Sequence, residues 1–242
     1  MSGVKIRVEL ASPMALGRLP YAPTLDAVLC SLISGGQQLA DGEADEMLDE
    51  LTKCVNVIDG TPLASCLWPT GEVWRHNHTF VRSSVAYDLH GFGGLSKVDE
   101  VRGPWLKKMA TRPTVYSQTW EWWANGDAAR IEGWLGRLQS VGAKRAHGFG
   151  AVSSLTVSKA GKQPLWLVHG VDSLVLSRPV QLDKLGAWLK EAGYAHDDLD
   201  WGRHAIVPLP AWPAQPWGQG EDVPTVVPLL PLPVAHDQEE GQ

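Results

Sequence analysis

Alternation of apolar and charged residues at the start of the chain predicts a half-buried β-strand. In residues 4–11, VKIRVELA, apolar side chains take every second position, with Lys, Arg and Glu between them. Successive side chains of a strand point to opposite faces, so one face is expected to lie on the core. The apolar spacing then changes to a helical period in residues 24–36, with Thr24 as N-cap and Gly35 and Gly36 as the stop.

Further helices follow from the same spacing. Residues 127–141, DAARIEGWLGRLQSV, place apolar side chains at i, i+3, i+4 and i+7 from Ile131, and Asp127 precedes them as a capping residue. Residues 182–193, LDKLGAWLKEAG, repeat the pattern and end at a glycine. Residues 45–53 predict a short acidic helix, and strand patterns occupy residues 71–84, 111–126 and 151–159.

The order of these elements predicts an α+β fold. Strand, helix, several strands, helix and strand is compatible with the ferredoxin-like, or RRM-like, arrangement, in which a β-sheet carries helices on one face. Extra hairpins and a C-terminal strand–helix segment are added to this core. We expect an RRM-like domain at residues 1–160 with an inserted hairpin region at about 56–118, a strand–helix segment at 161–212, and a flexible, proline-rich acidic tail at 213–242.

The formal charge of −6 is unevenly distributed along the chain. Residues 41–50 hold six acids without a Lys or Arg, and five more acids follow Arg203, again without a Lys or Arg. In the rest of the chain, 21 basic residues exceed 16 acidic ones. A phosphate-binding face is therefore compatible with the sequence, although no strong overall field attracts a polyanion.

Three cysteines, Cys30, Cys54 and Cys66, stand without a C-x-x-C spacing. A disulfide framework favours an even number, so we expect reduced thiols in a cytoplasmic protein. No Cys or His pair has zinc-finger spacing, and no phosphate-loop or dinucleotide motif is present, so we expect neither a metal nor a cofactor. The chain starts with a strand pattern and not with a signal peptide, and no apolar run reaches the length of a membrane span.

The glycine-rich stretch VGAKRAHGFGAV, residues 141–152, is the first candidate binding site. Its glycines permit positive φ and a close approach of the backbone to a ligand. Exposed N–H groups and the two cations can receive phosphates, and the phenyl ring can stack on a base or pack beneath the loop. The alternative is a tight helix-to-strand turn whose charges face water. The candidate contacts are Gly142, Lys144, Arg145, His147, Gly148, Phe149 and Gly150.

The stretch WRHNHTFVR, residues 74–82, is the second candidate site. In a strand, His76, His78 and Phe80 share a face and Arg75 takes the other, with Arg82 at the end. The adjacent letters H-N-H lack the spacing of a nuclease motif, and a metal held by the two histidines has no identifiable third ligand. Exposed polar residues on a hairpin are one interpretation, and a thumb that faces RNA or DNA is the other.

Tryptophan is unusually frequent, with twelve residues in the chain. Three of them fall in TWEWWANG, residues 119–126, and cannot all enter one core from one strand. At least one of Trp120, Trp122 and Trp123 is therefore expected to cover a helix, a partner subunit or a base. Core or interface is the favoured interpretation.

The sequence resembles a family at these stretches. GAKRAHGFGAV, after an amphipathic helix and before a strand, is similar to the glycine-rich loop of the CRISPR-associated RAMP superfamily, whose members have RRM-like ferredoxin folds. VKIRVELASPMALGRLPYAPTLDAVL resembles the first strand, loop and helix of the "Cas five" group subunit of type IV effector complexes. LSRPV and VPLPAW resemble the Arg-Pro and Pro-aromatic segments of that subunit. The matches are short and spread over residues 4 to 212.

The resemblance implies a non-catalytic subunit of a guide-RNA particle. Such a subunit caps the 5′ handle of the crRNA and contacts the backbone and large subunits, near the target DNA, in a complex for antiviral defence. By the same resemblance, the glycine-rich loop contacts handle RNA. The abundance of tryptophan and the net negative charge depart from the family pattern, which leaves the extent of the RNA surface open.

Two alternatives remain open. A processing ribonuclease of the same superfamily uses a His base without metal, for which His76, His78, His90 and His147 are candidates with Tyr21, Tyr87 or Lys144 as partners. A scaffold subunit instead binds protein partners through its tryptophans and makes no direct RNA contact.

Overall fold

The computed structural model describes residues 3–16, 21–36, 43–58, 60–82, 108–161, 167–169, 174–191, 193–210 and 222–229. Its strands are β1 (Gly3–Leu10), β2 (Met14–Ala15), β3 (Val57–Ile58), β4 (Thr61–Pro62), β5 (Trp68–Pro69), β6 (Trp74–Arg82), β7 (Lys108–Tyr116), β8 (Thr119–Asn125), β9 (Val152–Ala160), β10 (Leu167–His169), β11 (Leu174–Leu176), β12 (Val180–Gln181), β13 (His204–Pro210) and β14 (Asp222–Pro228). Its α-helices are α1 (Leu25–Ile33), α2 (Glu43–Cys54), α3 (Ala128–Leu135) and α4 (Leu182–Glu191).

The central sheet has the strand order β5–β8–β1–β9, and every neighbouring pair is antiparallel. Helices follow β1 and β8 along the chain, so these elements read strand, helix, strand, strand, helix, strand. The first strand therefore lies between the third and the fourth, which is the ferredoxin-like arrangement. The predicted α+β class is confirmed.

One face of this sheet forms the main core with α1 and α3. Ile6 and Val8 of β1 are fully buried, and the strand register sets them opposite Trp122 and Trp120 of β8. The predicted helix starts are confirmed as well, since Thr24 accepts the N–H of the third residue of α1 and the Asp127 carboxylate accepts two N–H groups of α3. Alternation in the strands and caps on the helices thus bring the apolar faces together.

The tryptophans of β8 divide between the two faces of the sheet. Trp120 and Trp122 are fully buried on the helix side. Trp123 points the other way and packs against Cys66, Trp68 and Val175, where the C-terminal segment meets the sheet. The expectation that the three rings could not share one core is confirmed, and the third ring covers a part of the same chain.

A single strand was expected over residues 111–126, and this expectation is wrong. The chain turns at residues 117–118, so that β7 belongs to a long hairpin with β6 and β8 belongs to the central sheet. The turn is held by the Trp120 indole, which donates to the Ser117 carbonyl at 2.8 Å. A buried tryptophan must satisfy its N–H group, and here it does so by fixing the corner.

The three cysteines are free thiols, as expected from their number. Burial raises the pKa of Cys30 to about 12 and the pKa of Cys54 to about 11. Burial also raises the pKa of Cys66. Because the thiolate is the reactive form, these residues are packing residues of low reactivity at neutral pH.

The C-terminal part forms a second sheet, with order β12–β14–β13, on which α4 packs. Its middle strand has Val226 and Val227 fully buried, so residues 222–228 depart from the flexible tail predicted for residues 213–242. Pro224 lies opposite Pro208 in β13, and only the two residues Thr225 and Val226 pair with β12. The prolines therefore interrupt little of the ladder, although their frequency indicated an irregular segment.

A buried ion pair joins this C-terminal part to α1. The Arg178 guanidinium lies 3.6 Å from the Asp26 carboxylate, and both side chains are about 5 % exposed or less. Arg178 also donates to the carbonyls of Pro62 and Ala64, which precede β5. Removal of one partner of a buried pair leaves the other charge unsolvated.

We expect Arg178→Met to lower the free energy of unfolding by about 3–5 kcal/mol, because the Asp26 carboxylate stays buried without its cation. The matched control is Arg130→Met, which removes an exposed guanidinium 3.3 Å from Glu50 and is expected to cost less than about 1 kcal/mol. Urea unfolding followed by circular dichroism measures both. Equal losses in the two variants would contradict the assigned role of Arg178.

His204 is a buried histidine with both ring nitrogens engaged. Its Nε2 accepts the N–H of Leu176 at 3.0 Å, so Nδ1 carries the proton and donates to the Asp200 carbonyl at 2.6 Å. Burial lowers the pKa of His204, opposed by the Asp200 carbonyl and carboxylate and assisted by the nearby Arg203. Protonation of Nε2 would break the bond to Leu176, so the folded state favours the neutral ring.

We expect the chain to lose stability as the pH falls below about 6.5, where the unfolded His204 takes up a proton that the folded ring resists. His204 lowers the free energy of unfolding by at most about 1.4 kcal/mol per pH unit. Its contribution is fully lost below the lowered pKa of the ring in the folded state. Urea unfolding between pH 8 and pH 5 measures it. His204→Gln is the control and is expected to show a smaller pH slope; an unchanged slope would refute the assignment.

Candidate nucleic-acid interface

A short backbone ladder places the β6–β7 hairpin beside the glycine-rich loop. β6 pairs with β7 along its whole length, and β7 pairs in turn with Met14 and Ala15 of β2. On its other side, Ala15 bridges to Ala143 within the glycine-rich loop. The two stretches that sequence analysis selected separately therefore lie at the two sides of one small sheet.

The loop has the backbone conformation that its composition predicts. Gly142, Gly148 and Gly150 have φ of 82°, 82° and 65°, and Lys144 has φ of 59°, which is uncommon for a residue with a side chain. A single 3₁₀ turn, Arg145–His147, lies between Lys144 and Gly148. The need for glycine is confirmed, whereas the tight helix-to-strand turn is not found, because residues 136–151 separate α3 from β9.

The backbone donors of the loop are largely used within the protein. The N–H groups of Val141, Ala143 and Gly150 donate to the carbonyls of Gly150, Ala15 and Pro13 at 2.8–2.9 Å. Ser12 adds two bonds, donating to the Gly148 carbonyl and accepting the N–H of the residue after Gly150. The expectation that successive loop N–H groups face a phosphate is therefore wrong at these positions, and the remaining candidate contacts of the loop are its side chains.

Those side chains include the exposed Arg145 and His147 and the partly exposed Lys144 and Phe149. The Phe149 ring packs edge-on against the ring of His78, with ring centroids 5.1 Å apart and an interplanar angle of 63°. This contact joins the glycine-rich loop to the hairpin through one residue from each predicted site.

The register of the hairpin determines which residues share a face. Trp74 lies opposite Tyr116, His76 opposite Thr114, and His78 opposite Arg112. Paired residues of an antiparallel ladder point to the same side, so these three rows form one face. Arg75 points to the other side, as predicted, and desolvation lowers its pKa. Arg82 lies opposite Lys108 at the far end of the strands.

The hairpin is cationic along its length. β6 and β7 together contain four Lys or Arg residues and neither Asp nor Glu. The loop adds Lys144 and Arg145 at its side. A chain with a net negative charge thus has a concentration of Lys and Arg in the hairpin and in the loop beside it.

Of the residues proposed for a ribonuclease, His76 and His78 lie on the hairpin, and Lys144 and His147 lie on the glycine-rich loop beside it. Tyr21 packs against Cys66, Trp68 and Val175, and burial raises the pKa of its phenol. Tyr87 and His90 lie outside the described residues. Within the described part of the chain, no three His, Cys, Asp or Glu residues are placed to hold a metal ion.

The residues that face the predicted site from β7 were not predicted from the sequence. Arg112 and Tyr116 join it only because β6 and β7 pair, and that register spans a long intervening segment. Ser12 was missed because a lone serine in a loop carries no pattern. The absence of acids from the two strands was the one signal available for β7.

Comparison of the chain with known proteins gave no family model that matches it and no curated protein that matches it. Among the described helices, none combines the length and apolarity needed to cross a membrane.

We expect Gly150→Ala to destabilise the chain more than Gly148→Ala. Both substitutions place a side chain at positive φ, which costs about 1–2 kcal/mol. A Cβ at Gly150 would also collide with the Val141 carbonyl, whereas a Cβ at Gly148 meets open space. We expect the free energy of unfolding to fall by about 1–3 kcal/mol more in Gly150→Ala than in Gly148→Ala, as measured by urea unfolding. A larger loss at Gly148 would contradict the described loop packing.

Proposed function

We propose that this chain is a non-catalytic RNA-binding subunit that holds single-stranded guide RNA between the β6–β7 hairpin and the glycine-rich loop. The observation that supports the proposal is the contact of His78 with Phe149, which joins two cationic stretches into one surface. The cations of this surface are Arg112, Lys144 and Arg145, and phosphates are their expected ligands. The aromatic rings between these cations suit contacts with bases, and the hydroxyl groups suit contacts with sugars.

Single-stranded RNA is the ligand class that this surface fits best. Single strands are bound by basic grooves that follow the backbone, together with aromatic side chains on which bases stack. A glycine-rich loop beside a sheet suits an RNA end or hook better than a helix that reads the groove of a duplex. The 2′-hydroxyl provides the contact that separates RNA from DNA.

The family resemblance extends this proposal to the assembly in which the chain would act. The chain would cap the 5′ handle of the crRNA in a type IV CRISPR effector of the cytoplasm, pack on the backbone and large subunits, and lie near the target DNA. The ferredoxin-like strand order is compatible with the RAMP superfamily, and fold alone does not determine function.

We expect the double variant Lys144→Glu and Arg145→Glu to bind a single-stranded RNA oligomer about tenfold or more weakly, with a salt slope of log Kd smaller by about 1.4. Two cations that neutralise phosphates are lost, and each accounts for roughly 0.7 of the slope. Fluorescence anisotropy across a salt series measures both quantities. The matched control is Lys159→Glu with Lys190→Glu, which makes the same charge change at exposed positions outside the site.

An equal effect of the two double variants would contradict the proposed site, because the loss would then follow net charge alone. Tighter binding to DNA of the same sequence would contradict the RNA assignment. Incubation of the chain with repeat RNA in the absence of metal tests whether it is non-catalytic. A cleavage product that disappears in His76→Ala, His78→Ala or His147→Ala would show that the chain is a ribonuclease and would overturn the non-catalytic role.

A further inference from the structure

Two large aromatic rings lie exposed side by side near the base of the hairpin. Trp74 is 58 % exposed and Tyr116 is 41 % exposed, and the two residues are directly opposite each other in the β6–β7 register. Both are on the face that carries His76 and His78. Exposed apolar area of this size costs free energy in water unless something covers it.

The face of the central sheet opposite the helices does not provide such rings. RRM-type sheets stack bases on aromatic residues of that face. Here charged side chains occupy the middle of that face. The Lys5 ammonium lies 2.8 Å from the carboxylate of the nearly buried Glu121, and the Arg7 guanidinium lies 3.8 Å from the Glu9 carboxylate. Two tryptophans are on that face, Trp68 and Trp123, and both pack with Cys66 and Val175 where the C-terminal segment meets the sheet. Among the described residues, Trp74 and Tyr116 are the large aromatic side chains with the highest exposed fractions.

We infer that Trp74 and Tyr116 form a platform on which an unpaired nucleobase of the bound RNA stacks. The inference rests on the proposed function and assigns a second subsite to the same ligand. Charge favours a nucleic acid as the occupant, since the two strands that carry the rings contain four cations and neither Asp nor Glu. Indole and phenol rings supply broad π-faces that accept any base.

The platform is placed to continue the path of the RNA. Trp74 and His78 are four residues apart on one strand face, which is about 13 Å along the strand. His76 lies between them on the same face. A single strand whose phosphates contact Arg112, which lies opposite His78, can therefore follow β6 toward its start and set a base on the two rings.

The test compares a single-stranded oligoadenylate with an oligomer of the same length whose bases are replaced by abasic sites, using the full chain. The wild type is expected to prefer the intact oligomer, and the double variant Trp74→Ala with Tyr116→Ala to lose roughly tenfold in affinity for it. The affinity for the abasic oligomer and the salt slope are expected to stay unchanged, because no cation is removed.

The conservative double variant Trp74→Phe with Tyr116→Phe keeps both π-faces and is expected to retain most of the preference for the intact oligomer. Ile206→Ala is the matched control, since Ile206 is 57 % exposed on the C-terminal sheet. Circular dichroism during thermal unfolding confirms that each variant folds.

An unchanged preference for the intact oligomer in the double alanine variant would overturn the platform. In that case a loss of affinity in the Lys144 and Arg145 variant would still support the proposed RNA site. If the wild type binds neither oligomer, the proposed function fails and the platform fails with it. Equal losses of affinity in the alanine and phenylalanine variants would also contradict stacking, because the two variants differ mainly in whether the π-faces are kept.

Discussion

The two-residue ladder between β2 and β7 is the constraint on which the candidate interface depends. Met14 and Ala15 pair with β7 on one side, and Ala15 bridges to Ala143 on the other. Met14 and Ala15 are fully buried, so the ladder is fixed by the core and is shielded from water. A hairpin of two strands is marginally stable alone, and this connection gives it a third strand and a loop to pack against.

Local patterns of the sequence predicted the helices and strands well, but they could not predict which strands pair over a long range. Alternation in β1 and the caps at Thr24 and Asp127 are signals between near neighbours, and the structure has them as expected. The pairing of His78 with Arg112 depends on how a long connection closes, which no local period encodes. The positive φ at Gly148 and Gly150 could be predicted, whereas the bonds of these two residues to Ser12 and Pro13 could not.

Proline misled the interpretation of the last strand. Pro224 and Pro228 argue against a central strand, because proline cannot donate to a ladder. In β14 they lie outside the two positions that pair with β12, and Val226 and Val227 supply the buried surface. Arg178 was likewise recognised only through a family-like dipeptide, while its role as the buried partner of Asp26 required the tertiary fold.

The position of β14 has a consequence for the order in which the molecule is assembled during synthesis. The central sheet is complete once β9 has emerged from the ribosome, so its helices and strands can associate while translation continues. The second sheet lacks its middle member until residue 228 has been released, and β12 and β13 have no ladder with each other in the meantime. Nascent chains therefore carry an incomplete sheet with exposed strand edges next to a complete central sheet, a stage at which chaperones have access to those edges.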